Sequence, residues 1–316
     1  MRLLSRALLA AALGLALTIG ALWLYAGSYG IHVLLRHGGT FWLNVKTDDP
    51  RLSPSMRLAL RDPPPASAGS FDWREISPGF EVGELPVIAG GGEVDRVMLA
   101  RIDPARFRFE VRNASAGDKD LDQWMAQLGA ALVINGSYYS RYGTPVTPLL
   151  SAGTLLGPED YDAKAGAFVA SAAFVGIRDL AQEDWQAAFR GADDAMVSFP
   201  LLVGPRPARQ ISGSRWLANR SFIGQDKDGR IVLGTTSDAF FSLDRLGEFL
   251  RQAPLGLTLA LNLDGGPVAC QGIAINGFDR RTYGNWEVQV EGDDAKLLTR
   301  LYGTVAMPIV LAVFPK

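Results

Sequence analysis

A pattern that occurs twice places the strongest constraint on the fold of this 316-residue chain: an amphipathic helix, then a short apolar strand, then a polar residue followed by glycine. In its first occurrence, apolar residues at helical spacing predict a helix over 121–128. The apolar segment 131–134 predicts a buried strand, and Asn135 and Gly136 follow it directly. A helix that leads into a buried strand is typical of folds in which helices cover a sheet.

The second occurrence repeats this order further along the chain. A helix predicted over 243–250 leads into a strand predicted over 257–263, and Asp264, Gly265 and Gly266 come next. Ligand sites of α/β folds often lie at such strand ends. The same residue types also form ordinary turns, so the pattern alone leaves open both a shared site and two plain turns.

The remaining apolar segments predict further strands around these two units. Strand-like runs cover 94–102, 107–111, 168–177 and 308–314. An Asp-Gly pair at 228–229, between two apolar runs, predicts a hairpin. Together these elements predict an α+β domain with a mixed β-sheet core and flanking helices.

Residue counts exclude several kinds of function. Lys and Arg total 31 against 33 Asp and Glu, a net charge of -2, so the chain lacks the basic excess of a nucleic-acid-binding protein. The one cysteine, Cys270, rules out an internal disulfide and a cysteine-based zinc site. The two histidines, His32 and His37, both lie near the N-terminus, so the rest of the chain has no histidine for a catalytic triad or a metal. Catalysis must therefore use carboxylates, Arg, Lys, Tyr, amides or backbone groups.

The N-terminus carries the pattern of a membrane anchor. Residues 1–6 include two arginines, and the uncharged run 7–26 is long enough, as a helix, to cross a hydrocarbon core of ~30 Å. The positive-inside rule then puts residues 1–6 in the cytoplasm and the bulk of the chain on the exported, periplasmic or extracellular, side of the cell membrane. Secretion after cleavage of a signal peptide is the alternative. The Pro-rich segment 27–70 predicts a juxtamembrane stalk, and 71–316 the folded domain.

Four segments resemble, in the same order along the chain, motifs of the phosphodiester glycosidase family. They are ALVINGSYYSRYGTP from residue 131, SFPLLVGPRP from residue 198, NRSFIGQDKDGRIVLGTT from residue 219 and LNLDGGPVA from residue 261. Together they indicate that roughly residues 76 to 316 resemble the family. The resemblance implies cleavage of a sugar from a glycosyl-1-phosphodiester.

The resemblance and the chemistry of the residue types together imply roles for individual side chains. Asp264 would act as nucleophile, base or metal ligand near the anomeric carbon. Arg220 would bind two phosphate oxygens, and Asn135 would hydrogen-bond the phosphate or a sugar hydroxyl. The residues expected to approach the substrate closely or stack on it are Gly136, Tyr138, Tyr139, Gly265 and Gly266.

Two departures from the family pattern bear on activity. Pro267 stands where the family has a third glycine and lacks a backbone N–H, and Val268 stands where the family has a serine. The expected function is an exported hydrolase of envelope or exopolysaccharide metabolism, acting on a glycosyl phosphodiester or polysaccharide. The alternatives are a catalytically lapsed glycan-binding protein and an envelope scaffold with the same fold. The sequence requires no cofactor and leaves a divalent cation open.

Overall fold

The structure is a computed structural model in which helices and strands can be assigned over most of the chain. It describes residues 2–25, 40–61, 64–114, 117–140, 142–162, 165–205, 215–291, 294–300 and 305–316. The predictions that concern His32 and His37 lie outside these residues.

The chain contains more strand than helix. The helices are α1 (Arg2–Tyr25), α2 (Pro54–Arg61), α3 (Leu121–Leu128), α4 (Trp185–Ala188) and α5 (Leu243–Gln252). The strands of the first half are β1 (Thr40–Lys46), β2 (Ser67–Ala68), β3 (Arg74–Ser77), β4 (Phe80–Ala89), β5 (Gly92–Ile102), β6 (Phe107–Asn113), β7 (Leu132–Asn135), β8 (Leu149–Ser151) and β9 (Thr154–Leu156). Those of the second half are β10 (Gly166–Ala170), β11 (Val175–Asp179), β12 (Asp194–Ser198), β13 (Leu201–Val203), β14 (Trp216–Ala218), β15 (Ser221–Asp226), β16 (Ile231–Thr236), β17 (Leu257–Asn262), β18 (Gln271–Ile275), β19 (Phe278–Thr282), β20 (Glu287–Glu291), β21 (Asp294–Arg300) and β22 (Ile309–Pro315).

These strands form four sheets. The large sheet has the order β13-β17-β15-β16-β5-β4-β2, with β3 also paired to β4. The β7 sheet has the order β19-β18-β7-β22-β6, the β10 sheet β11-β10-β12-β8-β9, and the β1 sheet β1-β21-β20-β14. Every pairing between described strands is antiparallel. The predicted α+β class is confirmed, but the sheets are antiparallel where the sequence analysis expected a mixed sheet.

Both faces of the large sheet are buried, which explains the nearly continuous apolar runs of its strands. In β15, Phe222 packs into a core shared with α2, α5 and the β1 sheet. Its neighbour Ile223 points the other way, into a core shared with the β7 and β10 sheets. The large sheet is therefore the central layer, and the ends of its strands meet the ends of strands from the sheets around it.

The two helix–strand units of the sequence pattern form as predicted. Helix α3 is capped by Asp120, whose side chain accepts from the Gln123 N–H while Gln123 bonds back to the Asp120 backbone. The predicted hairpin at 228–229 joins β15 to β16. The run 168–177, expected as one strand, is instead the hairpin of β10 and β11, because the hydroxyl of Ser171 accepts from the Phe174 N–H and closes a turn.

The segment predicted as a stalk, 27–70, is folded wherever the structure describes it. Strand β1 pairs along its length with β21, and β2 adds to the edge of β4. Leu52, Met56 and Leu60 are buried in the core of the large sheet. A Pro-rich composition predicted a spacer, but these apolar side chains at helical spacing pack on the domain, so residues 40–61 and 64–70 belong to it.

Helix α1 covers the run for which the sequence predicts a membrane anchor. In the part of the chain that the structure describes, no helix meets the length and apolarity required for crossing a bilayer.

Candidate active site

The carboxyl end of β17 and the start of β15 lie side by side in the large sheet. The strands are antiparallel, and the Leu263 N–H donates to the Ser221 carbonyl at 2.9 Å. One residue further along, Asp264 leaves β17 at the point where Arg220 enters β15. The register of this strand pair therefore brings together a carboxylate and a guanidinium that are far apart in the sequence.

The turn after β7 meets the turn after β17 directly, although the two strands belong to different sheets. The Asp264 N–H donates to the Gly136 carbonyl at 3.0 Å, and Nδ2 of Asn135 donates to the Asp264 carbonyl at 2.8 Å. A Cβ at Gly136 would collide with the side chain of Ile309 in β22. The three predicted catalytic residues thus lie in one region, with Gly136 serving the contact between the turns.

The side-chain amide of Asn135 is occupied by the protein itself. Besides the bond from Nδ2 to Asp264, its Oδ1 accepts from the Cys270 N–H at 3.3 Å. Asn135 is only 2% exposed. It fastens the turn after β7 to the loop after β17, and its predicted contact with phosphate or sugar stays a prediction.

A second carboxylate, which the sequence analysis missed, lies beside Asp264. Glu287 opens β20, and its Oε1 accepts from Nε1 of Trp216 at 2.8 Å. A Cβ at Gly266 would collide with the other carboxylate oxygen of Glu287, which places that oxygen against the loop after β17. In the sequence, Glu287 alternates with the apolar Val288 as solvent-facing strand residues do, so the pattern carried no sign of a site.

Both carboxyl groups bind protons far more tightly than they would in water. Burial raises the pKa of Asp264 to about 7; the charge of Glu287 adds to the rise, whereas the Gly265 N–H and Arg220 oppose it. Burial also raises the pKa of Glu287 to about 7, against the charge of Arg220 and the hydrogen bond from Trp216. Near neutral pH, protonated and ionised carboxyl groups can therefore coexist in this site, which acid–base chemistry by a pair of carboxyl groups requires.

Arg220 is held rigidly and keeps one nitrogen available. Its Nε donates to the Phe241 carbonyl at 3.2 Å and its Nη2 to the Trp216 carbonyl at 2.7 Å. Among the residues in the described ranges, none forms a hydrogen bond with Nη1 or an ion pair with the guanidinium. Burial lowers the pKa of Arg220, opposed by Tyr138 and by the two carboxylates. A fixed guanidinium close to carboxylates, yet not paired with them, is suited to hold an anionic ligand.

Asn219, next to Arg220, ties three segments of the site together. Its Oδ1 accepts from the N–H groups of Asn285 and Trp286, both at 2.9 Å, and so fixes the approach to β20. Its Nδ2 donates to the Thr236 carbonyl at 2.9 Å, and its own carbonyl accepts from the Gly266 N–H at 2.9 Å. Asn219 is fully buried and positions Glu287 relative to the loop that carries Asp264. Asn219 has no distinctive sequence signal, because the recognisable chemistry of this motif belongs to its neighbour Arg220.

The two tyrosines expected to contact substrate occupy different places. Tyr139 packs against the core between the large sheet and the β7 sheet. Tyr138 lies beside the site: its hydroxyl donates to the Phe199 carbonyl at 2.9 Å and accepts from Nδ2 of Asn262 at 2.7 Å. The ring of Tyr138 stacks on Phe199 with centroids 4.4 Å apart. Phe199, 40% exposed, is therefore the member of this stacked pair that faces solvent.

The loop after β17 uses its own N–H groups for internal bonds. The Gly265 N–H donates to Oδ1 of Asp264 at 2.9 Å, and the Gly266 N–H is taken by Asn219. Gly266 has a φ of +72°, which favours glycine. Pro267 is buried in the 3₁₀ turn Gly266–Val268. A ligand must therefore be recognised here by side chains, above all by Asp264, rather than by the backbone donors of residues 265 and 266.

For a divalent cation, Asp264 and Glu287 would be the oxygen donors that this site offers. Within the described ranges, no group of three or more His, Cys, Asp or Glu side chains is arranged to hold a metal ion. The buried positive charge of Arg220 already balances part of the negative charge and would repel a cation. The donor set thus fits an anionic group contacting Arg220 better than a resident metal.

Comparison with known proteins agrees with the family suggested by the sequence motifs. Residues 128–270 match the family model for phosphodiester glycosidase, a range that includes Asn135, Arg220 and Asp264 but ends before Glu287. No curated protein matches the chain significantly.

One solved structure shows a similar fold. The catalytic domain of zebrafish N-acetylglucosamine-1-phosphodiester alpha-N-acetylglucosaminidase, described as auto-inhibited by its pro-peptide, matches with a TM-score of 0.53 and 14% identity; the match covers 84% of this chain and 95% of that one. A protein of Burkholderia pseudomallei matches with a TM-score of 0.44 and 12% identity, over 73% of this chain and 76% of that one. The resemblance to phosphodiester glycosidases is thus confirmed by a family model and by the fold.

Proposed function

We propose, from the phosphodiester glycosidase match of residues 128–270 and from the carboxylate pair beside Arg220, that the chain is a hydrolase of glycosyl-1-phosphodiesters. The reaction would break the bond between the anomeric carbon of a sugar and a phosphodiester oxygen. That oxygen keeps the electron pair and leaves on a phosphate monoester, while water supplies the new anomeric hydroxyl.

The observation that carries the proposal is the convergence of Asp264 and Glu287, each with a pKa raised to about 7. A sugar losing an anionic leaving group develops positive charge at its anomeric carbon, which a nearby carboxylate stabilises. The second carboxyl group can take up the proton that the attacking water loses. Two carboxyl groups of shifted and coupled pKa values can divide these tasks between them near neutral pH.

Arg220 supplies what the leaving group needs. A phosphate monoester is already stable as an anion, so protonation by a general acid matters less than a positive charge beside it. The Nη1 group of Arg220 is not engaged by the described residues and adjoins Gly265, at 3.2 Å from where a Cβ would stand. The absence of a side chain at Gly265 thus keeps open the space in which Arg220 would contact a phosphate oxygen.

The chief alternative is a glycan-binding protein that has lost activity. Pro267 motivates it, because the loop after β17 has no backbone donor at that position. In favour of activity, Asp264 and Glu287 converge with raised pKa values, a combination typical of catalytic carboxyl groups. Export, by a membrane anchor or after signal cleavage, and a role in envelope or exopolysaccharide metabolism belong to the proposal as well; they rest on the N-terminal sequence pattern.

The test is an assay on a panel of sugar-1-phosphodiesters that differ in sugar and in aglycone, with release of reducing sugar and of phosphate monoester as paired readouts. We expect turnover by the wild type and a loss of ~10²–10³-fold in kcat for Glu287→Gln, because an electrostatic contact to the transition state is removed. Asp228→Asn is the matched control, since this carboxylate lies in the turn between β15 and β16 and is exposed. Binding of the panel without turnover by the wild type would favour the lapsed enzyme.

A further inference from the structure

Two solvent-exposed aromatic side chains, Trp216 and Phe199, border the candidate site. Trp216 is 38% exposed, and its indole N–H donates to Oε1 of Glu287 at 2.8 Å. Phe199 is 40% exposed and lies on Tyr138, whose hydroxyl is bonded to Asn262, two residues before Asp264. Among the described residues, Trp216 and Phe199 are exposed aromatic rings on a fold that buries most of its other aromatic side chains.

Both rings are held in fixed orientations. The Tyr138 ring covers one face of Phe199 at a centroid distance of 4.4 Å and an interplanar angle of 23°, so the opposite face carries the exposure. Trp216 is fixed by its bond to Glu287 and by Trp42, whose ring meets it edge to face with centroids 6.4 Å apart. A fixed ring loses little conformational entropy when a ligand stacks on it.

We infer that Trp216 and Phe199 are two sugar-stacking platforms and that the substrate is a glycan with at least two sugar rings, one on each platform, with its phosphodiester between them. This inference rests on the proposed function. Apolar faces of sugar rings pack on aromatic rings while their hydroxyl groups bond to neighbouring polar atoms. The platforms are attached to Glu287 and, through Tyr138 and Asn262, to the strand that carries Asp264. In this inference, a glycan that occupies both platforms runs past the carboxylate pair and Arg220.

A single sugar with a small aglycone would use one platform and leave the other exposed. The substrate is therefore a polymeric or oligomeric glycosyl phosphodiester rather than a small one. Affinity should rise with the number of sugar units until both platforms are covered and then level off.

The test compares poly(N-acetylglucosamine 1-phosphate) fragments of one to four units, the single unit being closed as a methyl phosphodiester. Binding is measured by calorimetry on the full chain carrying Asp264→Asn, which should slow turnover ~10²–10³-fold, and KM is measured on the protein without that change. We expect affinity to rise at least tenfold from one to three units. Trp216→Ala and Phe199→Ala should each remove about tenfold of that gain, while Leu155→Ala, an equally exposed apolar residue at 39% on β9, should change nothing.

Trp216→Phe distinguishes the stacking role of the ring from the hydrogen bond that the indole N–H donates to Glu287. It keeps an aromatic ring but deletes the donor that lowers the pKa of Glu287, so the gain with chain length should survive while the pH profile of kcat moves to higher pH. Loss of the gain in Trp216→Phe, with the pH profile unchanged, would contradict the platform role.

The outcomes distinguish this inference from the proposed function. Cleavage of the single unit with an affinity that does not depend on chain length, or on Trp216 and Phe199, would overturn the platforms and leave the hydrolase. Length-dependent binding that needs both rings, without cleavage of any fragment, would overturn the hydrolase and leave the platforms. Neither binding nor cleavage by the wild type would overturn both.

Discussion

The turns that follow β7 and β17 both begin with a polar residue followed by glycine, but the polar side chains differ in how far they are hydrogen-bonded. Asn135 uses its amide nitrogen and oxygen to bond the backbone at Asp264 and Cys270. Asp264, which those bonds help to position, keeps one carboxylate oxygen without a hydrogen-bond donor among the described residues and has a pKa raised to about 7. A polar residue at a strand end therefore has a structural role, as a clamp between segments, when its polar atoms are hydrogen-bonded within the protein. It can act as a reactive group when one of those atoms has no partner. The first turn fixes the geometry, and the second offers the chemistry.

The largest difference between the turns should be in turnover. Asp264→Asn keeps the size of the side chain and removes its charge, so kcat should fall by ~10²–10³-fold on any cleavable glycosyl phosphodiester. Asn135→Asp places a charge in the partner turn but not at the reacting atoms, and should reduce kcat much less. Steady-state kinetics of both variants, with circular dichroism to confirm folding, makes the comparison. Equal losses in the two folded variants would show that the division into clamp and reactive group is wrong.

Alanine substitution of the glycines in the two turns should affect different properties, activity at Gly266 and stability at Gly136. In Gly266→Ala, the φ of +72° and the collision with the Glu287 carboxylate would displace that carboxylate. We expect a fall in kcat of ~10²-fold with a modest loss of stability. In Gly136→Ala, the collision is with Ile309 in the core, so the main effect should be a lower free energy of unfolding. Denaturant titration and kinetics on both proteins test this; a Gly266→Ala protein that keeps full activity would contradict the placement of Glu287.

For the free energy of unfolding, in contrast to kcat, the substitution at Asn135 should have the larger effect and the one at Asp264 the smaller. Asn135→Ala removes a buried donor and acceptor and leaves the Asp264 carbonyl and the Cys270 N–H without their partner, so the free energy of unfolding should fall by about 1–3 kcal/mol. Asp264→Asn should leave it unchanged or raise it, because a buried carboxylate is replaced by a neutral group. Urea unfolding at pH 7 measures both changes. If Asp264→Asn destabilised the fold more than Asn135→Ala, Asp264 would be the structural member of the pair.

The smallest expected difference between the two turns is in how the stability of the protein depends on pH. The folded-state pKa values of Asp264 and Glu287, about 7, exceed their ordinary values of 3.8 and 4.5. Between pH 4 and 7 the folded protein therefore binds more protons than the unfolded chain, and its stability should fall as pH rises through this window. The double variant Asp264→Asn with Glu287→Gln should show a flatter profile, whereas Asn135→Ala should keep the slope of the wild type. Thermal unfolding across this range decides; identical slopes in wild type and double variant would refute the raised pKa values.

Features that depend on residues close together in the sequence could be predicted, whereas features that depend on contacts between distant segments could not. The helices α3 and α5 and the strands after them follow from residue spacing within about twenty positions. Asp264 and Arg220 stood out because the motifs around them resemble a family. Glu287 could not be found this way, because its importance comes from a contact with Gly266 across two sheets, and a glutamate that alternates with valines looks like any exposed strand residue.

The pairing of β1 with β21 was hidden for a related reason. Thr40 lies opposite Arg300, and a pairing of such long sequence separation leaves no trace in either segment by itself. Composition then favoured the wrong interpretation, since the prolines at 63–65 are typical of a spacer. The buried side chains of α2 would have been a better guide, because Met56, Ala59 and Leu60 recur at the spacing of one helical face.

The packing of residues 40–61 on the domain determines where the protein can be truncated at its N-terminal side. A fragment that starts at Phe71 would lose β1 and α2 and expose the apolar faces of β20 and β21, including Val288 and Leu297, which are buried in the intact fold. Burial of one such side chain contributes about 1.5–3 kcal/mol, so a fragment without its first strand would tend to aggregate during purification. A useful recombinant boundary lies ahead of Thr40, and proteolytic nicking within 66–70 should leave the two pieces associated.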